Sequence, residues 1–428
     1  MKFNVKNTAR NRFCSSLGIC CFVLFLFPKQ VRAQYNHLPA IPEIVYRITD
    51  YGATGDSKTI NTIAIQKALD LAKGTGGKVV VPPGTYLTGP LELYSRTELE
   101  ISKGATLRLL NNIESYPVVN GRYPNLINVS KQNDIKISGG GTLDGQGEIW
   151  WKGVEDKSLK FRRPQMVYIE GASNIEIGEI TFLNPPNTHL SLKNCKEVYI
   201  HDITIQAPAN SHNTDGINIS AKNCTIERCN INTGDDNIAV NFGNKNPKAE
   251  EPEVMNLLIR NCTFGYGHGL SIGSFTSGGL KNMLVSNCKF DGTTSAIRIK
   301  TARGRGGVLQ DVRYEDITIT NSKNPIFISE YYPKEPQRPS DDTNNSAGEY
   351  NPVYQNISLK NIKVTNAQES LIIWGIPESP VQYIRFENVT ISAKKAPQFF
   401  NISKADFVNC SIGDGDPYVF NAQVNGLK

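Results

Sequence analysis

The chain has 428 residues, 46 Lys and Arg against 40 Asp and Glu, nine Cys, and 39% hydrophobic residues. That length is ample for a large core and by itself allows two domains. The net charge of +6 is carried by the first 33 residues, which hold six Lys and Arg and no acid; the rest is neutral, which gives no support for nucleic-acid binding, since that needs basic arms or patches.

The N-terminal stretch reads as an export signal. Lys2, Lys6, Arg10 and Arg12 form a basic start, Leu17 to Phe27 is apolar, and Val31-Arg32-Ala33 offers small residues for cleavage. The apolar run is shorter than the roughly 20 residues a membrane-spanning helix needs. We therefore expect a cleaved signal over residues 1–33 and a single domain over 34–428. The mature protein would be a monomer with no membrane attachment, exported to the periplasm or secreted. Of the cysteines, Cys195, Cys224, Cys229, Cys262, Cys288 and Cys410 remain, and none has CxxC spacing, so a zinc site is not expected. Most recur at matching repeat positions, as buried stacked thiols would, with one or two disulfides as the alternative.

Asn61 to Lys73 reads as a helix with Ile65, Ala68, Leu69 and Ala72 on one face, stopped by Gly74. From about residue 130 one phrase recurs: a polar residue, alternating apolars, a short polar break, then alternating apolars. It runs from Asn174 to Phe182, Glu197 to Ile205, Asn223 to Ile231, Asn256 to Phe264 and Asn282 to Phe290, and continues beyond. The alternation has period two, so these are strands. Another short strand lies between copies, as at Gly216 to Ser220 and Ala296 to Lys300. The sequence therefore predicts an all-β solenoid, a parallel β-helix with three to four short strands per coil, its N-terminal end capped by the helix. Gly243 to Glu253 and Glu330 to Tyr354 break the pattern and read as insertions of the kind that wall a groove.

Four polar triplets punctuate the repeat: Asn213-Thr214-Asp215, Gly234-Asp235-Asp236, Gly267-His268-Gly269 and Arg298-Ile299-Lys300. Each alone reads as a turn or an exposed strand edge. Successive triplets are about one repeat apart, so winding brings them onto one stripe, with Asp215 one coil from Asp235 and Asp236, His268 two coils away, and Arg298 and Lys300 three. At about 4.8 Å per coil, an acidic patch should grade into a basic one over roughly 15 Å. Crowded carboxylates push one pKa up, which gives the protonated and ionised pair that glycoside hydrolysis uses. Arg298 and Lys300 suit a substrate carboxylate, so a uronic-acid polymer fits best.

The same residues carry a resemblance. Tyr51 to Asp56, Gly141 to Gly147 followed by Trp150-Trp151, all four triplets, and Gly267 to Ser274 make the chain resemble the polygalacturonases, pectin-degrading glycoside hydrolases of family 28. The resemblance covers nearly all of the mature chain. It implies a right-handed parallel β-helix and inverting hydrolysis of α-1,4-linked galacturonate in homogalacturonan or pectin fragments, with no metal or other cofactor. It makes Asp235 the general acid, Asp215 and Asp236 the residues that hold and deprotonate water, and His268 an aid to the acid. Arg298 and Lys300 would bind the galacturonate carboxylate, Tyr332 (or its neighbour Tyr331) would border the substrate, and Asn213 would contact the sugar. Asn237 stands where the family often has Cys, and the tyrosine-bearing insertion leaves internal and chain-end attack both open. The rival readings are hydrolysis of rhamnogalacturonan or xylogalacturonan, a calcium-dependent pectate lyase, and a non-catalytic glycan-binding adhesin.

Overall fold

The computed structural model describes residues 38–114, 116–243, 251–342 and 348–427; the expected signal and parts of both insertions lie outside these. The described chain coils as a parallel β-helix, and the named strand pairings from Val45 to Asn425 are all parallel. Each coil places its strands in register on the coil before. Ile175, Val198, Cys224, Leu257, Met283, Val312, Ile357 and Ile384 form one such file. All eight are buried, so the solenoid interior is a set of apolar ladders running along its axis. Burial of each such side chain contributes about 1.5–3 kcal/mol, and no coil achieves it without neighbours.

The recurring polar residue that opens each copy is a left-handed turn. Asn174, Asn223 and Asn256 have φ of 55 or 56°, and so do Asn261 and Asn361 at the polar break. Asn and Asp adopt this region more readily than other side chains because their short polar groups bond locally. Here the amides also bond to one another across coils: Asn256 donates to Asn223 at 2.7 Å and Asn282 donates to Asn256 at 2.6 Å.

The capping helix spans Thr62–Thr75 and buries Ile65, Ala68, Leu69 and Ala72, the face expected. It does not stop at Gly74; it runs one residue further, and Gly76, at φ 73°, ends it by donating its N–H to Ala72 O. A second helix, Glu148–Glu155, carries the Trp150-Trp151 pair and was not anticipated. The strand expected between copies often joins the next copy without a break, as in Leu190–His201, where a bulge between Leu192 and Cys195 turns the corner. The six described cysteines are free thiols, five of them buried. No helix among the described residues is long and apolar enough to cross a membrane.

The amide ladder gives a test of the turns. Asn256→Ala forces a left-handed alanine, at a cost of about 1–2 kcal/mol, and removes two hydrogen bonds of about 1 kcal/mol each. Asn256→Gly removes the bonds without the strain. Chemical denaturation should rank the stabilities wild type, then Gly, then Ala.

Candidate active site

Strand register sets the site. Ile217 pairs with Ile238, and Ile238 with Leu270. Asp215, Asp236 and His268 each stand two residues before these partners, so they occupy one position on successive coils. Arg298 pairs with Ser271 on the next strand, and Ile297 and Ile299 beside it face the core. The glycines around His268 permit this stacking. Gly269 has φ 77°, and a Cβ there would lie 1.9 Å from the Ser295 carbonyl.

The structure brings the three aspartates, the imidazole and both cations together, but not as a gradient of charge. Lys300 Nζ donates to Asp236 Oδ2 at 2.8 Å, Arg298 to Asp236 Oδ1 at 3.3 Å, and Ser271 Oγ to the same oxygen at 2.7 Å. The basic side chains reach back over the stack, and Asp236 and Lys300 are both buried. Asp235 is more exposed; His268 Nδ1 lies 3.1 Å from its Oδ1, and Asn213 Nδ2 lies 3.4 Å from its Oδ2. Burial opposes ionisation of Asp235, but the bond and charge of His268 outweigh it and hold its pKa below the ordinary value. Asp215 behaves oppositely. Burial, then the charges of Asp235 and Asp236, push it up to about 7, against a hydrogen bond from Asn218 Nδ2 at 3.0 Å. The trio therefore contains an ionised carboxylate beside one that holds a proton near neutrality.

Of the two tyrosines, Tyr332 borders the cations, its ring centroid 5.2 Å from Lys300 Nζ and 5.8 Å from the Arg298 guanidinium. Tyr331 turns away, donating its hydroxyl to Asp342 and packing edge-on against Trp374. Asn237 is buried; it donates to Ile231 O and Tyr266 O, both at 3.0 Å, and accepts from Gly269 N at 2.7 Å. It thus pins the His268 turn to the aspartate coil. Asp235, Asp236 and His268 present ligand atoms within 4.8 Å of one another, but Lys300 and Arg298 already occupy the two oxygens of Asp236.

Three contributors escaped the sequence reading. Asn218 and Ser271 lie three residues after Asp215 and His268, in register with each other through Ala239. Arg163 lies far away in sequence: buried, it donates to Pro186 O at 2.8 Å, His212 O at 2.7 Å and Asn213 Oδ1 at 2.9 Å. Burial and the neighbouring Arg162 press its pKa down, while Asp215 and Asp235 support its charge.

An extended face with a protonated and an ionised carboxylate beside anchored cations is the equipment of an acid–base enzyme acting on an anionic polymer. The family model for "Glycosyl hydrolases family 28" matches residues 73–411. The chain is 32% identical over 373 residues to an endo-polygalacturonase of Pectobacterium carotovorum subsp. carotovorum, covering 81% of this chain and 88% of that one. Among solved structures it resembles a hyperthermoactive exopolygalacturonase from Thermotoga maritima, with TM-score 0.76, 25% identity, and 87% and 93% of the two chains covered. A polygalacturonase from Erwinia carotovora ssp. carotovora matches with TM-score 0.68 and 27% identity, over 92% of this chain and 98% of that one. The chain belongs to glycosyl hydrolase family 28. It is a glycosidase, and its coil has the right-handed sense of the family.

Two tests follow from the charges. Asp215 has its folded pKa raised, to about 7; the stability linked to its proton is complete below the unfolded value and is lost as pH rises through the folded one. Asp215→Asn should therefore raise the melting temperature at pH 8 and give little gain at pH 4, while abolishing turnover. Arg163→Gln removes a cation beside two carboxylates and should move the acid limb of the kcat/KM profile upward by about half a unit or more.

Proposed function

We propose that the chain hydrolyses α-1,4-galacturonosyl linkages of polygalacturonate and unesterified pectin with inversion at the sugar carbon. Family membership and the names of the relatives support the substrate. The observation that carries the assignment of roles is the contrast between two neighbouring carboxylates, Asp236 fixed by Lys300, Arg298 and Ser271, and Asp235 more exposed against His268. Asp235 is the general acid, facing the bond and protonating the leaving oxygen. Asp215 and Asp236 hold the attacking water and take its proton. His268 orients Asp235 and tunes its proton.

Arg298 and Lys300 hold a galacturonate carboxylate. An ammonium has three donors, so Lys300 can bond Asp236 and a substrate oxygen together and fix the sugar relative to the water. Tyr332 packs beside these cations and borders that sugar, and Asn213, already in contact with Asp235, meets the sugar from the other side. A calcium-dependent lyase needs acid oxygens free to coordinate the ion, and the two cations on Asp236 stand in that place. We further propose that residues 1–33 direct export and are removed, leaving 34–428 as one monomeric catalytic domain.

Polygalacturonate treated with the protein should gain reducing ends without the ultraviolet absorbance of an unsaturated uronate, at a rate unchanged by chelator. Asp235→Asn should lower kcat by about 10³-fold or more while oligogalacturonate binding, measured by calorimetry, stays within a few-fold. Retained turnover would remove Asp235 as the acid. Sequencing the N-terminus of the exported protein should return Gln34.

A further inference from the structure

Three cations, not two, surround the ring of Tyr332. Besides Lys300 and Arg298, the Arg305 guanidinium lies 5.5 Å from its centroid. Arg305 stands in the loop between strands Ser295–Lys300 and Val308–Thr320, and Tyr332 follows strand Asn324–Ser329 on the next coil. The two loops are tied through the backbone of Tyr332 itself. Its N–H donates to Thr301 O at 2.8 Å, and its carbonyl accepts from Arg305 Nη2 at 2.7 Å. Arg305 is anchored in turn: its own carbonyl accepts from Thr276 N at 3.0 Å, and its guanidinium lies over the Phe275 ring, 5.3 Å from the centroid.

Arg303, two residues earlier, shows the ordinary use of an arginine in this loop. It pairs with Asp342 at 2.7 Å and with Glu378, and so fastens the tyrosine-bearing segment to the coils beyond. Arg305 pairs with no carboxylate among the described residues. It is half-buried, and its planar guanidinium meets two rings and one carbonyl. A guanidinium can stack on a ring and donate in its own plane at once, which an ammonium cannot. The consequence falls on the substrate grip. Arg298 and Lys300 carry two charges and share one carboxylate, Asp236, so positive charge remains for a substrate carboxylate. The electron-rich face of a ring stabilises cations packed against it, and its bulk keeps water from them, which strengthens their attraction for an anion. Both effects depend on where the ring stands. The 5.8 Å between Tyr332 and Arg298 is close to the roughly 6 Å limit of such contact, so a small shift of the loop would forfeit it.

We propose that Arg305 is a positioning residue for the substrate: it sets the Tyr332 ring against Arg298 and Lys300, and thereby tunes the affinity of that pair for a galacturonate carboxylate. It acts through Tyr332 and not on the reacting carboxylates. The inference rests on the function proposed above and concerns binding, not the chemical step.

Arg305→Gln should raise KM for polygalacturonate about fivefold with kcat within about twofold. Arg305→Lys keeps the charge and a donor for the Tyr332 carbonyl but has no plane to stack, so it should restore only part of the loss. Full restoration by Lys would overturn the inference, because charge alone would then suffice. An unchanged KM in Arg305→Gln, or a loss confined to kcat, would overturn it as well. The decisive comparison is a double-mutant cycle with Tyr332→Ala. Without a ring to position, Arg305→Gln should change KM less than about twofold; equal changes in both backgrounds would show Arg305 acting independently of Tyr332 and end the proposal. Arg305→Lys taken through the same cycle serves if the Gln variant folds poorly. Calorimetry with trigalacturonate on Asp235→Asn, with and without Arg305→Gln, separates the inference from the reading beneath it. Binding weakened about fivefold supports the positioning role even if the parent proved unable to hydrolyse polygalacturonate, an outcome that would sink the proposed reaction alone. Unchanged binding overturns the role whatever the parent's activity.

Discussion

The spacing of stacked parallel strands, about 4.8 Å, is the constraint from which the site follows. A residue type placed at one position of a coil repeats its neighbourhood at every turn, so Asp215, Asp236 and His268 cannot avoid one another once they share a register position. Like charges at that spacing repel, and the chain answers with cations from further along the same stack. Lys300 and Arg298 bond Asp236 across two coils, and Arg163 approaches from the opposite flank. The interior ladders make the arrangement rigid: the backbone between these residues cannot relax the crowding without breaking registers that bury apolar side chains on every neighbouring coil.

The Asp236–Lys300 pair shows why such a site is not a device for stability. Both groups are buried, and the desolvation of two buried ions rivals or exceeds their attraction. What the pair supplies is position. The Lys300 ammonium stands at a fixed point over the aspartate coil, with Ser271 completing the cage on the other oxygen. Removing Asp236 would leave the buried Lys300 ammonium without its ion-pair partner, which is costlier than never having had the pair. Asp235, which no Lys or Arg side chain bonds among the described residues, is more exposed than Asp236 and is held by His268 and Asn213 instead.

The periodicity of the sequence made the solenoid, its cap face and the stripe of triplets legible, because strand alternation and repeat length are one-dimensional properties. Asn and Asp at copy starts were visible as polar punctuation, and the left-handed turns explain why those residue types recur. What the sequence hid depends on side-chain reach and on contacts between distant segments. Lys300 was placed three coils from Asp215 correctly, yet only the structure shows its four-carbon stem bending back to Asp236. Arg163 meets Asn213 fifty positions later, and nothing in its own neighbourhood marks it out beyond a second arginine. Tyr331 and Tyr332 are indistinguishable as letters; the folded loop turns one to Asp342 and the other to the cations.

The uneven pull on the two acids connects the resting protein to its proposed reaction. Without substrate, burial and the neighbouring carboxylates raise the pKa of Asp215, while His268 holds that of Asp235 below the ordinary value. Interacting acids titrate as a unit, so the cluster as a whole carries the proton. A galacturonate entering the groove changes both sides of that balance. Its carboxylate neutralises part of the field of Arg298 and Lys300, and its ring takes water away from Asp235; each effect favours the protonated form of Asp235. In the proposed reaction Asp235 takes up the cluster's proton as Asp215 gives it up, which leaves Asp215 ionised to hold the water. In the proposed reaction an anionic substrate thereby favours a protonated Asp235, the carboxylate assigned the role of acid.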